Sequence, residues 1–469
     1  MGFTCGKKVV AAYKLHQIDT EDKMCGICGF TGYRQDQKTV IERMMKAIEH
    51  RGPDSEGSFC REKITLGFRR LSIIDLEDGQ QPMESADGNL HIVFNGEIYD
   101  YKELRAELEA FGISFCTHSD TEVLINTIQQ YGEKALDKLR GMFGFAVWNE
   151  QEQSLMLARD FFGIKPVYYA EIDGHFVFAS EIKSILAFPG YERKVNQKAL
   201  EQYLSFQYSP LEETFFRGIY KLMPGHMLLY KNGNYEIKTY FKTKLAPGQW
   251  DRKTNMEQLQ NQLAENLKDS VEHHMLSDVE VGAFLSGGVD SGYLASSSGA
   301  DQAFTVGFDE GDRYSEVNKA AKVAEKAGLK HHVKIISKQE FWDALPDVMY
   351  HMDEPLGDAS AVPKEAKIAA GTTKYIFRKA VSQFIPQETD ERKKLGFPIP
   401  IRVWLRQDDW YQMVKELFTS KEAEEFFHTD KLLLLLKEHK EKKADNSRKI
   451  WTVLTFLIWY DRFFATCSK

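Results

Sequence analysis

The stretch that decides the fold of this chain is Met24-Cys25-Gly26-Ile27-Cys28-Gly29-Phe30. It allows three interpretations. A Cys-x-x-Cys pair is typical of redox or zinc sites, but no second Cys or His pair has the matching spacing. Cysteines are also ordinary buried structural thiols, an interpretation that applies to Cys28, Cys60 and Cys116. In the third interpretation Cys25 becomes a chain terminus, whose α-amine titrates near neutrality and takes the proton of its own thiol.

The residue before the cysteine agrees with the third interpretation. Met24 is what a start codon supplies, and removal of Met before a small residue exposes Cys25. Residues 1–23 show no strong pattern. While they are attached the Cys25 nitrogen is an amide, and an amide is no base. We therefore expect an active nucleophile only after initiation at Met24 or cleavage before Cys25.

Length and composition narrow the class of protein. A chain of 469 residues is too long for one ordinary core, so roughly two or three domains are expected. A net charge of −8 argues against a general nucleic-acid binder, because phosphate binding needs clustered Lys and Arg. Six cysteines are too few for a disulfide scaffold. The apolar stretch Val453–Tyr460 falls far short of the about 20 residues that cross a bilayer. These features predict a reduced, cytoplasmic protein.

The first half of the chain predicts mainly antiparallel sheet. Short alternating runs such as His91–Phe94 and Leu155–Ala158 are typical of strands. Hairpin-like turns separate the runs, at Asp87-Gly88-Asn89, Asp173-Gly174 and Asn232-Gly233-Asn234. Two helical patterns interrupt the strands, one near Val40–His50 and one near Asp120–Tyr131.

Beyond a predicted linker at Pro247-Gly248, helices and strands alternate. Apolar residues recur every four positions and predict one helix, at Leu259, Leu263, Leu267 and Val271. The strands Val281–Leu285 and Ala303–Phe308 and a helix near Ser315–Ala327 continue a pattern typical of a parallel α/β sheet. From about Lys364 the chain is mostly helical. The sequence therefore predicts two domains of different class, joined near residue 240.

Polar residues suited to binding an amino acid follow the nucleophile. The guanidinium of Arg70 has the planar fork that clamps a carboxylate. Asn95-Gly96 follows a strand, so the Asn95 side chain and the Gly96 N–H can face a developing oxyanion. Asp120 can accept an ammonium group. Taken singly, each has an ordinary alternative: a surface ion pair for Arg70, a hairpin turn for Asn95-Gly96 and a helix N-cap for Asp120.

Together, six motifs resemble the N-terminal-nucleophile glutaminase domain in order and spacing. They are Cys25-Gly26-Ile27-Cys28-Gly29, His50-Arg51-Gly52-Pro53-Asp54, Arg70–Asp75, Asn95–Tyr99, Ser119–Glu122 and Gly141-Met142-Phe143-Gly144-Phe145-Ala146. The resemblance covers about residues 24–240 and implies a four-layer αββα sandwich. The site residues that it implies are the nucleophile Cys25, the oxyanion-hole residues Asn95 and Gly96, and the glutamine ligands Arg70, Asn95, Gly96, Glu97 and Asp120.

A second motif, Ser286-Gly287-Gly288-Val289-Asp290-Ser291, directly follows the strand Val281–Leu285. Small residues let backbone N–H groups close around an anion, and the next helix points its N-terminus at it. The pattern matches neither the Walker nor the dinucleotide motif, and alone it is also consistent with a helix-capping turn. Behind a glutaminase it resembles the pyrophosphate loop of ATP-pyrophosphatase enzymes. The resemblance implies ATP binding by Leu285, Ser286, Gly287, Gly288, Asp290, Ser291 and Val306, with Asp290 near a Mg²⁺ ion.

The pairing of the two domains resembles the glutamine-dependent asparagine synthetase family. Three further segments agree with it, Asp353-Glu354-Pro355-Leu356, Thr373–Ala380 and Arg392–Pro398. Lys374 and Lys394 match family lysines that face the phosphates and the acyl-adenylate. The resemblance implies an extension over residues 1–24, a glutaminase domain over 25–240 and a synthetase domain over 241–469. It implies glutamine, aspartate and ATP as substrates, no nucleic-acid or membrane partner, and leaves a homodimer open.

The chain departs from this family near residues 363–364. There the family has a long stretch with a Ser-Gly-Glu-Gly-Ala-Asp-Glu motif, which carries a magnesium carboxylate and the acid tied to adenylate formation. Here Ser360-Ala361-Val362-Pro363 continues directly into Lys364. The most similar segment of this chain is Ser298-Gly299-Ala300-Asp301, which is predicted to be a helix end. We therefore expect little or no asparagine from this chain. The alternatives are an amidotransferase for another carboxylate, such as a cell-wall precursor, and a product that only hydrolyses glutamine or pairs with an intact homologue.

Overall fold

A computed structural model of the chain describes residues 24–71, 79–243, 256–311, 315–357 and 399–465, together with the backbone of 11–12, 368–369 and 372–373. Several sequence predictions lie outside the described residues. They are the linker at Pro247-Gly248, the end of the Arg70–Asp75 motif, the junction at 363–364, and the two lysines Lys374 and Lys394.

The strands are β1 (Ala11–Ala12), β2 (Gly26–Thr31), β3 (Ser55–Cys60), β4 (Ile64–Arg70), β5 (Met83–Glu84), β6 (Leu90–Ile98), β7 (Gly141–Asn149), β8 (Ser154–Arg159), β9 (Tyr168–Ile172), β10 (His175–Ala179), β11 (Ile219–Lys221), β12 (His226–Lys231), β13 (Asn234–Thr239), β14 (Val281–Phe284), β15 (Gln302–Phe308), β16 (Lys330–Ile336), β17 (Ile368–Ala369) and β18 (Thr372–Thr373). The helices are α1 (Gln37–Lys46), α2 (Tyr101–Ala110), α3 (Asp120–Tyr131), α4 (Ile182–Leu186), α5 (Gln197–Phe206), α6 (Met256–His274), α7 (Val289–Ser297), α8 (Val317–Ala327), α9 (Lys338–Met352), α10 (Ile401–Trp404), α11 (Asp408–Phe418), α12 (Lys421–Phe426), α13 (Thr429–Lys440) and α14 (Ser447–Tyr460). A 3₁₀ turn covers Gly132–Asp137, and a π turn covers Asp461–Ala465.

Two antiparallel sheets build the first domain. Their strand orders are β11-β9-β10-β2-β4-β3 and β13-β12-β8-β7-β6-β5. An apolar layer between them joins Ile27 and Phe68 of the first sheet to Val93 and Trp148 of the second. Alternation of side chains along each strand leaves a second apolar face on each sheet, which a further layer must cover.

Helices cover both outer faces. Met44 of α1 packs beside Phe30 on the first sheet. Val123 and Leu124 of α3 pack beside Phe94 on the second sheet. The result is the four-layer αββα sandwich, so the predicted fold of this domain is confirmed.

The predicted hairpin turns are found in the structure, but one helix lies earlier in the sequence than predicted. The hairpin residues Asp173 and Gly174 both have positive φ, 49° and 80°, as a two-residue turn between twisted strands requires. Helix α1 begins at Gln37 and ends at Lys46, earlier than the predicted Val40–His50. The buried residues lie between Val40 and Met45, so the polar first turn of the helix carries no apolar period that would place its start.

The second domain has the predicted parallel sheet. Strand β14 pairs in parallel with β15, and β15 with β16. The connections run through α7 and α8, so each strand is followed by a helix. Ser298-Gly299-Ala300-Asp301 follows α7, which confirms the prediction of a helix end there. The two-residue β1 pairs with β14 in the antiparallel sense.

The C-terminal helices pack against the first domain. The Trp459 ring of α14 lies 5.2 Å from the Phe215 ring and 5.3 Å from the Phe216 ring, measured between centroids. The hydroxyl of Tyr203 lies 2.7 Å from Thr455 Oγ1. One hydrophobic core therefore includes residues of both domains, from Cys28 to Phe463. Among the described residues, no helix is long and apolar enough to span a bilayer.

Candidate active site

Cys25 lies immediately before β2, a central strand of the first sheet. Its thiol donates to the carbonyl oxygen of Leu71 at 3.4 Å and accepts from the Leu71 N–H at 3.4 Å. Burial raises the pKa of the Cys25 thiol, although the Leu71 bond and the cations Lys165, Arg51 and Arg70 oppose this. A neutral thiol is a weak nucleophile, so attack requires a base beside it.

Arg51 fixes the main chain of the nucleophile. Its Nε donates to the carbonyl oxygen of Cys25 at 2.9 Å, and its Nη1 lies 2.7 Å from Glu181 Oε1. Arg51 and Glu181 are both buried. A buried ion pair with good geometry holds its side chains in one arrangement, so Cys25 is held from the carbonyl side as well as through its thiol.

A pocket beside Cys25 brings the predicted glutamine residues together. It is lined, among others, by Arg70, Asn95, Gly96, Glu97 and Asp120. Arg70 is the last residue of β4 and is buried, so the alternative of a surface ion pair is wrong. These residues are far apart in sequence. They meet because the ends of β4 and β6 and the start of α3 lie at one edge of the sandwich.

Asn95 and Gly96 lie within β6. The prediction that they follow a strand and the alternative of a hairpin turn are therefore both wrong. They pair with Gly144 and Phe143 of β7. A Cβ on Gly96 would lie 2.2 Å from the carbonyl oxygen of Met142, so only glycine fits there. Asn95 is 1% exposed, and its Nδ2 has no hydrogen-bond partner among the described residues. A buried donor without a partner is costly, and this one lines the pocket.

Two carboxyl groups line the pocket, those of Asp120 and Glu97, beside the cations Arg70 and Lys165. Asp120 is the first residue of α3, but Ser119 is the N-cap and accepts from the Thr121 N–H, so the N-cap alternative for Asp120 is wrong. Asp120 Oδ2 instead accepts from the Ile98 N–H at 3.0 Å. Burial raises the pKa of Asp120 to about 6. Burial also raises the pKa of Glu97 to about 7, where Lys165 opposes the shift and Asp120 adds to it.

Sequence reasoning missed two residues of the pocket. Lys165 is 7% exposed, and its Nζ contacts Met24 Sδ at 3.3 Å. Gln81 accepts from the Phe94 N–H at 2.6 Å and thereby holds β6 beside the pocket. The signal for Lys165 was its place in the apolar stretch Phe161–Val167; Gln81 has no comparable signal in the sequence.

The other cysteines give no metal or redox site in the described part of the chain. Cys28, Cys60 and Cys116 are free thiols, as is Cys25. Cys28 is buried, Cys60 is half-buried and Cys116 is exposed, so the structural-thiol interpretation is wrong for Cys116. Burial raises the pKa of the Cys28 thiol to about 12, which leaves it unreactive.

The glycine-rich loop of the second domain lies between β14 and α7, as the motif predicted. Gly287 has φ +64°, and a Cβ there would lie 2.8 Å from Lys319 Cβ on α8. The hydroxyls of Ser286 and Ser291 lie 2.9 Å apart and close the loop. The N-cap residue of α7 is Gly288. Because glycine has no side chain, it cannot cap the first N–H groups of this helix.

Other predicted nucleotide residues border this loop. Leu285 is buried at its start, and the Leu285 carbonyl accepts from Thr305 Oγ1 at 2.7 Å. Val306 follows on β15. Among the described residues no three His, Cys, Asp or Glu side chains gather as metal ligands, so these residues do not by themselves form a magnesium site at Asp290.

The sandwich, with a cysteine beside a pocket of arginine, asparagine and aspartate, defines a glutamine amidotransferase of the N-terminal-nucleophile class, joined to a parallel α/β domain. Family models agree, since the glutamine amidotransferase domain matches residues 24–241 and the asparagine synthase model matches 262–366 and 359–461. The chain belongs to the glutamine-hydrolysing asparagine synthetase family.

Three relatives illustrate the likeness. Asparagine synthetase [glutamine-hydrolyzing] 1 of Bacillus subtilis is 32% identical over 616 aligned positions, which cover 92% of this chain and 96% of that protein. A putative asparagine synthetase of Mycobacterium tuberculosis is 26% identical over 636 positions, covering 94% and 97%. Asparagine synthetase 2 of B. subtilis is 40% identical over 286 positions, covering 58% and 38%. The two longer alignments exceed the 469 residues of the chain, so those relatives have residues where this chain has none.

Proposed function

We propose that this chain hydrolyses glutamine at Cys25 and that the ammonia serves an ATP-activated aspartate in its second domain. The observation that carries the proposal is the convergence of Cys25, Arg70, Asn95 and Asp120 on one pocket. An arginine and a carboxylate are complementary to the two charged ends of an amino acid, and an unpaired amide donor is complementary to an oxyanion.

The chemistry follows from these positions. The free α-amine of Cys25 takes the thiol proton, and sulfur attacks the side-chain carbonyl carbon of glutamine. The negative charge on that oxygen meets Asn95 Nδ2 and the Gly96 N–H. The proton passes to the leaving nitrogen, ammonia departs and a thioester forms. Water then hydrolyses the thioester to glutamate and restores the thiol. Arg70 binds the substrate carboxylate, and Asp120 and Glu97 bind its ammonium.

The second domain binds ATP at residues 286–291 in this proposal. The N-terminus of α7, whose N-cap residue is Gly288, would offer backbone N–H donors to a pyrophosphate, and Leu285 and Val306 would flank the adenosine. Asp290 would be one ligand of a Mg²⁺ ion, although it does not form a magnesium site by itself, and the ion would neutralise charge on the phosphates. The resemblance to the family suggests that Lys374 and Lys394, which lie outside the described residues, face the phosphates and the acyl-adenylate. The free thiols favour a reducing, cytoplasmic setting.

The domain limits are proposed as an extension over 1–24, a glutaminase over 25–240 and a synthetase over 241–469. We also propose that the synthetase lacks an internal stretch near 363–364, and that it forms little asparagine. Two findings support a gap: the synthase model matches in two segments that meet there, and alignments with relatives are longer than the chain.

The test compares three chains in a glutaminase assay that measures glutamate and ammonia. The first begins at Met24, so that its Met can be removed, and mass spectrometry verifies a Cys25 terminus. The second carries Cys25→Ala, and the third keeps residues 1–24 attached. We expect activity from the first chain alone. Hydrolysis by either of the others would contradict the proposed nucleophile or the proposed base.

A further inference from the structure

A line of buried charges leads from the nucleophile to the second domain. Arg51 holds the carbonyl of Cys25 and pairs with Glu181, as described above. Glu181 also pairs with Lys183, and Lys183 Nζ lies 2.9 Å from Asp353 Oδ1. Each of these contacts is a direct ion pair or hydrogen bond, so no step in the line depends on an unseen group.

Asp353 belongs to the second domain. It follows α9 with φ +60°, a left-handed conformation that turns the chain sharply. Its Oδ2 accepts from the Ile182 N–H at 2.6 Å, and its carbonyl accepts from Trp459 Nε1 at 2.7 Å. Asp353 is 2% exposed, so its carboxylate is fixed between the two domains.

The charges depend on one another. Burial opposes the charge of Glu181, but Arg51, with His50 and Lys183, holds the pKa of Glu181 well below its usual range. Burial likewise opposes the charge of Lys183, but Asp353 and Glu181 together raise the Lys183 pKa. Removal of one partner from such a set leaves an uncompensated buried charge, which costs far more than a surface pair is worth.

We propose that Asp353 is a positioning residue for the glutaminase nucleophile, acting through Lys183, Glu181 and Arg51. The inference rests on the proposed hydrolysis of glutamine at Cys25. With Asp353 neutral, the Lys183 ammonium keeps Glu181 as its carboxylate partner among the described residues and competes with Arg51 for it. Arg51 then holds the Cys25 carbonyl less firmly, and the amine, thiol and substrate lose their alignment. The second domain thus supplies part of the geometry that the first domain uses.

The experiment uses the full chain from Met24, with Asp353→Asn as the test variant. A misplacement of reacting atoms changes turnover more than substrate binding, so we expect kcat for glutamine hydrolysis to fall about tenfold. We expect KM to stay within about threefold, because no substrate ligand is altered. The charge-balanced variant Lys183→Met/Asp353→Asn removes both members of the pair and should recover most of kcat.

A matched control separates this effect from general loosening of the domains. Arg140 and Asp269 form another ion pair between the two domains, at an exposed place. Asp269→Asn should leave kcat and KM unchanged. Thermal unfolding of every variant shows whether the fold is retained.

The outcomes separate the two proposals. An unmodified chain without glutaminase activity overturns the proposed function. An active unmodified chain, with Asp353→Asn equal to it in kcat, overturns the positioning role alone. Equal losses in Asp269→Asn and Asp353→Asn, or no recovery in a folded charge-balanced variant, also overturn it.

Discussion

The proposed chemical role of Asn95 can be tested separately from its structural role. Its Nδ2 makes no hydrogen bond among the described residues, so Asn95→Ala breaks no described contact of that atom. Loss of one oxyanion donor lowers kcat about a hundredfold, with little change in KM. Steady-state glutaminase kinetics measure this. Asn126→Ala is the control, because Asn126 Nδ2 donates to the Glu122 carbonyl at 2.9 Å and serves the helix. A similar kcat in Asn95→Ala and the unmodified chain would exclude the oxyanion role.

The Asp120 carboxyl should make glutamine binding depend on pH. Its pKa is raised to about 6, so it is protonated below that pH and ionised above it. An ammonium group binds the ionised form, and affinity for glutamine should therefore fall about tenfold for each pH unit below about 6. Calorimetry of glutamine binding to Cys25→Ala avoids turnover. Asp120→Asn should bind weakly at every pH, whereas Glu97→Gln should keep the decline below pH 6. A flat profile in the Cys25→Ala chain would contradict the assignment.

Sequence alone located the residues whose chemistry is distinctive. Cys25, Arg70 and Asp120 each have an ordinary alternative when taken singly, so it was the order and spacing of all the motifs together that predicted their meeting in one pocket. Lys165 and Glu181 are harder to predict, because a buried charge and a solvated one look alike until the fold shows their neighbours. The line from Arg51 to Asp353 joins residues about 300 positions apart, and no local pattern encodes such a contact.

Among the elements, the loop before α7 offers a test with an internal control. Gly287→Ala places a methyl group 2.8 Å from Lys319 Cβ and 2.9 Å from the Ala320 nitrogen, in a left-handed conformation. We expect the Kd for ATP to rise about tenfold, which corresponds to about 1.4 kcal/mol of binding free energy. Gly299→Ala has the same kind of backbone, with φ +70° and nothing within 4 Å of the new methyl group. Equal ATP affinities of the two variants would show that the tight packing of the loop is unimportant.

Helix α14 should contribute to the stability of both domains. Leu454 is fully buried in the core that this helix shares with the first domain. Leu454→Ala should lower the free energy of unfolding by roughly 2–5 kcal/mol. Leu434 on α13 is 56% exposed, and Leu434→Ala should change it by less than about 0.5 kcal/mol. Urea denaturation measures both, and a small effect at Leu454 would contradict the shared core.

The predicted helices and hairpins were correct where the sequence has clear turn residues and a clear apolar period. Gly-containing hairpins and the helix Asp120–Tyr131 were placed correctly, because positive φ and a clear cap mark their limits. Asn95-Gly96 was misplaced because Asn and Gly are typical turn residues, whereas here they sit inside a strand that needs a small residue against β7. The packing of α14 on the first domain was not predictable, since an all-round apolar helix does not say which surface covers it.

For the molecule as a whole, the first domain should hydrolyse glutamine, whereas the second domain should form little asparagine. With ATP and aspartate present, the chain from Met24 should release glutamate from glutamine but yield little asparagine. Ammonium chloride in place of glutamine bypasses the first domain, and it should not restore asparagine if the defect lies in the second. Chromatography of the amino acids measures both reactions. Full asparagine synthesis would contradict the proposed gap in the synthetase.

Met24 has a consequence for when the molecule becomes active. Its side chain lines the glutamine pocket, and its sulfur contacts Lys165 inside it. If glutamine binds in this pocket as proposed, a chain that retains Met24 has that side chain among the pocket walls and lacks the free amine at Cys25. In a chain that starts at Met24, removal of this methionine would take its side chain out of the pocket and would create the amine proposed as the base. On the proposed mechanism, release of ammonia would therefore begin only after the Cys25 amine has been freed.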